Sequence, residues 1–113
     1  MATLNRSAVV VKPKEPFLDW LHMADPTSRD LSLSELTREP TIYLLPECDT
    51  PAELEDALRE RCEEIFIEQL SGWFNGEKTW PRDLGFETFC HWFDLEHHSM
   101  LVDLCDHPLI LEL

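Results

Sequence analysis

Glycine is scarce: 3 residues in 113, and none of them builds a G-x-G-x-x-G, a G-x-x-x-x-G-K-[ST] or a G-x-S-x-G arrangement. Loops that cradle phosphates or raise a nucleophilic serine need glycine for close backbone approach and tight turns, so no nucleotide or other cofactor is expected. Basic residues are few as well, 9 Lys and Arg against 23 Asp and Glu, for a net charge of -14. A field of that sign repels phosphate backbones and anionic lipid, which removes the term that supplies most nucleic-acid affinity. Neither nucleic acid nor membrane is therefore an expected partner. Long apolar runs are missing too. The purest, residues 8–11 and 109–111, are strand-sized, far short of the roughly 18 to 20 residues of a spanning helix. Residues 1–7 lead into no apolar signal-peptide core, and a cytoplasmic location is the expectation. Finally, Cys48, Cys62, Cys90 and Cys105 lie 14, 28 and 15 positions apart with no C-x-x-C pair. That spacing excludes a zinc knuckle or thioredoxin-like motif and suits reduced thiols, with Cys62 and Cys90 acting as small hydrophobes.

What remains is 43% hydrophobic and 28% charged, enough for one compact domain with a single core over residues 1–113. Ala8, Val9, Val10 and Val11 form a largely β-branched run that is apolar on both faces, the mark of an inner strand, and Pro13 ends it. Pro16 then suits a first helical turn that places Phe17, Trp20 and Leu21 on one side. Residues 26–40 are polar, with Ser32 and Glu35 spaced as a capping box over a single turn. Thr41, Ile42 and Tyr43 open a second strand that Pro46 stops.

The strongest local signal is Thr50-Pro51-Ala52-Glu53. Thr50 caps the free amides, Pro51 fits the first helical position, and Glu53 can return a bond to the Thr50 amide. The helix that follows, over 51–74, puts Leu54, Leu58, Cys62, Ile65, Phe66, Gln69 and Trp73 on one face. Glu53, Asp56, Glu60, Glu63, Glu64 and Glu68 crowd the other. Like-charge neighbours four apart cost about 0.2 to 0.5 kcal/mol each, so packing rather than propensity must hold this helix. Asn75-Gly76 is expected to end it. A third helix, capped by Asp83, carries Phe86, Phe89, Cys90, Trp92 and Phe93. Beyond it, alternation over 96–104 predicts a third strand with His98, Met100, Val102 and Leu104 inward. Residues 109–113 read as an edge strand or a docked apolar tail. The order β-α-β-α-α-β predicts an α/β or α+β fold, a single-layer sheet of three to four strands covered by helices.

Chemistry-bearing residues concentrate between Cys90 and Asp103. A Ser-His-Asp triad fails, because His97, Ser99 and Asp103 on one strand face would stand about 6.5 to 7 Å apart at each step. His91, Asp94, His97 and His98 are the candidates for a metal-dependent or hydrolytic enzyme. Adjacent strand residues point to opposite faces, so only one of His97 and His98 can join a given ion, and no H-E-x-x-H pattern appears. The rival reading is a protein-interaction or accessory module, self-associating or bound to a protein partner. Its surface would be the acidic helix residues Asp56, Glu60, Glu63 and Glu64 with Trp73 and Trp80 beside them. Arg6, Lys12 and Lys14 would form a basic edge for an anion or a second copy.

The opening Asn5-Arg6-Ser7-Ala8-Val9-Val10-Val11-Lys12-Pro13-Lys14, then Pro16-Phe17-Leu18-Asp19-Trp20, resembles a family of short bacterial proteins of unestablished function. Trp80-Pro81, Phe89-x-x-Trp92-Phe93 and His98-Ser99-Met100 extend the likeness over most of the chain. The resemblance implies a bacterial cytosolic protein and carries over no activity or catalytic residue.

Overall fold

In a computed structural model describing residues 1–113, the chain runs through β1 (Ala2–Thr3), β2 (Ser7–Pro13), α1 (Glu15–Ala24) and a 3-10 turn at Pro26–Ser28. It continues through α2 (Leu33–Leu36), β3 (Thr41–Leu45), α3 (Pro51–Trp73), a second 3-10 turn at Glu77–Thr79, α4 (Phe86–Trp92), β4 (Phe93–His98) and β5 (Val102–Asp103). The architecture is α+β. A three-stranded antiparallel sheet has the order β3-β2-β4, and β1 pairs separately with β5. No helix is long and apolar enough to cross a membrane.

The apolar run of β2 makes it the middle strand, as its lack of alternation predicts. Facing residues in an antiparallel pair share a side of the sheet, so the register separates two faces. Val9 faces Tyr43 and His97, and Val11 faces Thr41 and Leu95; this is the core side. Ala8 faces Leu44 and His98, and Val10 faces Ile42 and Glu96; this is the other side. The 15-residue core cluster takes Val9, Val11, Leu45 and Phe93 from the sheet, and Phe17, Leu36, Phe66, Leu70 and Phe89 among others from all four helices. None of the residues on the opposite side belongs to it.

Local signals explain the helix starts. The Glu53 amide donates to Thr50 Oγ1 at 3.2 Å, and Ser32 with Glu35 forms a complete capping box. Each such cap is worth about 1 kcal/mol. Glu53 returns its bond differently from expectation: its carboxylate accepts from the Thr50 hydroxyl at 3.3 Å. On the buried side of α3 lie Leu58, Cys62, Ile65, Phe66, Gln69 and Leu70. The aromatic centre follows from it: the Phe66 ring sits 5.2 Å from Phe93 at 84° and 5.4 Å from Trp92. Edge contacts of this kind add about 0.5 to 1.5 kcal/mol per pair beyond burial. Arg59 stacks 4.4 Å above the Phe86 ring and pairs with Glu55 at 3.6 Å, tying α4 to the polar side of α3.

Several expectations need correction. The last large strand begins at Phe93 rather than Glu96, directly after α4, because Phe93 must be buried and so sets the parity. Odd residues of β4 therefore face the core. His97, not His98, points inward, while Met100 and Leu104 are exposed. The alternating stretch breaks after His98, and only Val102–Asp103 resumes as a strand, on β1. Residues 109–113 are neither strand nor docked. Leu70 takes the buried position expected of Trp73, which is 41% exposed. Asp83 does not cap α4, whose N-cap is Gly85; it braces the approach by accepting from the Gly85 amide at 2.9 Å and the Thr88 hydroxyl at 2.8 Å. Those donors, Gly85 first, hold its carboxyl below the usual range. Gly76 adopts no left-handed conformation; a Cβ there would meet the Phe74 ring, which would have to shift.

Candidate functional site

β3 is an edge strand, so the outward row of its backbone N–H and C=O groups has no neighbouring strand. Beside it lies a hollow of about 420 Å³, walled by Tyr43, Leu44, Leu45 and Pro46 on one side and by Arg61, Glu64, Ile65 and Glu68 on the other, with Arg6 at the rim. The α3 residues recur at spacings of three and four, which places them on one helical face. The result is a groove between a strand edge and a helix, roofed by neither.

The groove's polar groups are mostly satisfied internally. The Tyr43 hydroxyl donates to Glu68 Oε1 at 2.7 Å and accepts from Gln69 Nε2 at 2.9 Å. Burial pushes the phenol well above its ordinary pKa, and the Glu68 carboxylate adds to this, while the Gln69 bond works against it. Arg61 Nη1 is 3.1 Å from Glu64. Arg6 differs: its one side-chain bond goes to the carbonyl of Asn5 at 2.8 Å, and it joins no ion pair. The groove mixes apolar walls with the charges of Arg61, Glu64 and Glu68, and a guanidinium without an ion-pair partner at its mouth is suited to a carboxylate. Next to the groove, on the uncovered side of the sheet, Ile42 is 61% and Leu44 54% exposed.

The predicted enzyme residues diverge. His91 is exposed on α4, Asp94 and His98 lie on the uncovered side of β4, and His97 lies on the core side with its Nε2 enclosed and without a hydrogen-bond partner. His98 Nε2 approaches Glu96 at 3.5 Å, and Glu96 also meets Lys12 at 3.9 Å, a solvent-exposed trio of small energetic weight. No group of three or more His, Cys, Asp or Glu side chains is placed to hold a metal ion.

The expected contact residues also separate. Asp56, Glu60, Glu63 and Glu64 are exposed on α3. Trp73 is partly exposed near the end of that helix, whereas Trp80 packs against the core and donates from Nε1 to the Phe74 carbonyl at 3.3 Å. Trp20, buried, donates likewise to Thr79. Arg6, Lys12 and Lys14 form no basic edge: β2 is the central strand, and Arg6 and Lys14 stand at its opposite ends, roughly 25 Å apart at the usual rise. Sequence reasoning missed the groove, because its two walls come from separate elements that only the tertiary fold brings together. The signal that was available is the uncharged β3 edge. Comparison with family models, with curated proteins and with solved structures finds no match.

Proposed function

We propose that this chain is a protein-interaction module that takes an extended apolar segment along the free edge of β3. The observation that supports the reading is one juxtaposition: an unpaired strand edge, with Ile42 and Leu44 exposed beside it, running along the groove against α3. In strand addition of this kind, main-chain hydrogen bonds supply affinity and side-chain pockets supply selectivity. Edges that are not used are commonly blunted by an inserted lysine, proline or bulge. The sequence Thr-Ile-Tyr-Leu-Leu of β3 contains no charged residue and no proline. The carboxylates Asp56, Glu60 and Glu63 on the outer side of α3, with Glu64 at the groove, set the long-range field, which slows the approach of acidic chains and speeds that of basic ones.

Selection of displayed random peptides on the immobilised chain tests this. The expected outcome is enrichment of apolar, extended peptides whose binding is lost in Leu44→Arg. Enrichment of nothing, or of peptides that bind Leu44→Arg equally well, would contradict it.

A further inference from the structure

The chain itself carries an unused segment of the kind this groove would take. Leu109, Ile110, Leu111 and Leu113 are each at least 65% exposed, belong to no helix or strand, and follow Pro108. Leaving four such side chains in water forgoes about 1.5 to 3 kcal/mol apiece relative to full burial. Pro108 donates no hydrogen bond, so a strand would start after it, and the edge it would cover is Thr41–Leu45.

We infer that residues 109–113 of a second copy of this chain cover the β3 edge, running parallel to β3 with Ile110 beside Ile42 and Glu112 beside Leu44 and Arg6. This rests on the interaction reading above and names its occupant. Alternation supplies the match. In that register Leu109, Leu111 and Leu113 turn toward the groove wall at Tyr43, Leu45 and Ile65, while Ile110 extends the exposed pair Ile42 and Leu44. Charge sets the polarity. Arg6 lies at the Leu45–Pro46 end of the groove and has no acidic partner, and Glu112 is the one charged residue of the segment. With residues 109–113 kept opposite Thr41–Leu45, the parallel direction brings the two together, while the antiparallel one carries Glu112 to the Ile42 end. Two copies exchanging their segments satisfy both grooves and close as a dimer rather than growing into a filament.

Each copy carries a net charge of -14, so the long-range field opposes this encounter, and the attraction must come from burial, backbone pairing and the Arg6–Glu112 contact. Association therefore strengthens as salt screens the repulsion. A basic partner would show the reverse.

The test uses the full chain and two exposed-site variants, Leu44→Arg in the groove and Leu111→Asp in the segment, with far-UV circular dichroism to confirm that both fold. Sedimentation velocity at about 100 µM is expected to give a dimer for the parent chain and monomers for both variants, with a larger dimer fraction at higher salt. An amidated synthetic peptide of residues 106–113 is expected to bind the Leu111→Asp chain saturably. Its affinity should fall at least about tenfold when Leu44→Arg is added and several-fold with Arg6→Gln. If Leu44→Arg does not fold, Ile42→Lys takes its place. A parent chain that stays monomeric at every concentration overturns the proposal, whether its segment is free or folded onto its own groove. So does a dimer that survives Leu111→Asp, or a peptide that fails to bind or ignores Leu44→Arg. Should displayed peptides still require Leu44 while this peptide does not bind, the groove reading stands and only the second-copy occupant falls.

Discussion

The two sides of the three-stranded sheet share apolar residues on β2 and β3 and differ on β4: the core side carries Phe93, Leu95 and His97, the other Asp94, Glu96 and His98, with Lys12 of β2 beside them. On the core side Val9 and Val11 are fully enclosed, with Leu45 and Phe93 beside them and helices above. On the other side Ile42 and Leu44 are more than half exposed, and the small Ala8 and Val10 are buried between larger neighbours on the flanking strands without joining the core. Side-chain chemistry marks the β4 half of the open side as polar, but it does not separate Ile42 and Leu44 from the apolar residues of the core side. What does is whether a helix is available to cover the face, and α1, α3 and α4 all pack on the same one. The apolar patch left over after the helices are spent, Ile42 and Leu44 on β3, is where a partner would be expected.

The contrast can be broken from the sealed side first. Phe66→Ala removes a ring in contact distance of Phe89, Trp92 and Phe93, and a loss of about 3 to 5 kcal/mol is expected in urea unfolding. A smaller effect lies at the boundary between the two sides, where Tyr43 belongs to the core side yet lines the groove. Its raised phenol pKa means that folding favours the neutral form. The associated stability is complete below about pH 10, the unfolded value, and is lost as pH rises from there toward the folded one. Because the chain has a single tyrosine, absorbance titration against alkali follows this group directly and should show a midpoint well above that of the unfolded chain. The smallest effect belongs to the open side. Ile42→Ser is expected to change the unfolding free energy of the monomer by no more than about 1 kcal/mol, the scale of one cross-strand pair, and to weaken self-association.

These differences also explain what could be read without coordinates. The β2 run, the Thr50-Pro51 helix start and the Ser32–Glu35 capping box are local signals, each set by residues a few positions apart, and the architecture follows from them. The alternation over 96–104 is equally local and misled. A period of two says that two faces differ, and says nothing about which is covered; with no Gly or Pro anywhere in residues 86–98, the switch from α4 to β4 leaves no mark. His97 and His98 exchanged roles for that reason. The β1–β5 pairing and the groove between β3 and α3 join residues far apart in the chain, so only the fold assembles them.

Hydrogen exchange, followed residue by residue at low and high protein concentration, bears most directly on the claim that the sheet is sealed on one side and completed by a partner at its β3 edge. The account predicts β2 amides that are slow at both concentrations. It also predicts outward-pointing β3 amides that are fast when dilute and slow when concentrated, with the slowing abolished by Leu111→Asp. Outward β3 amides whose rates ignore both concentration and that substitution would contradict it.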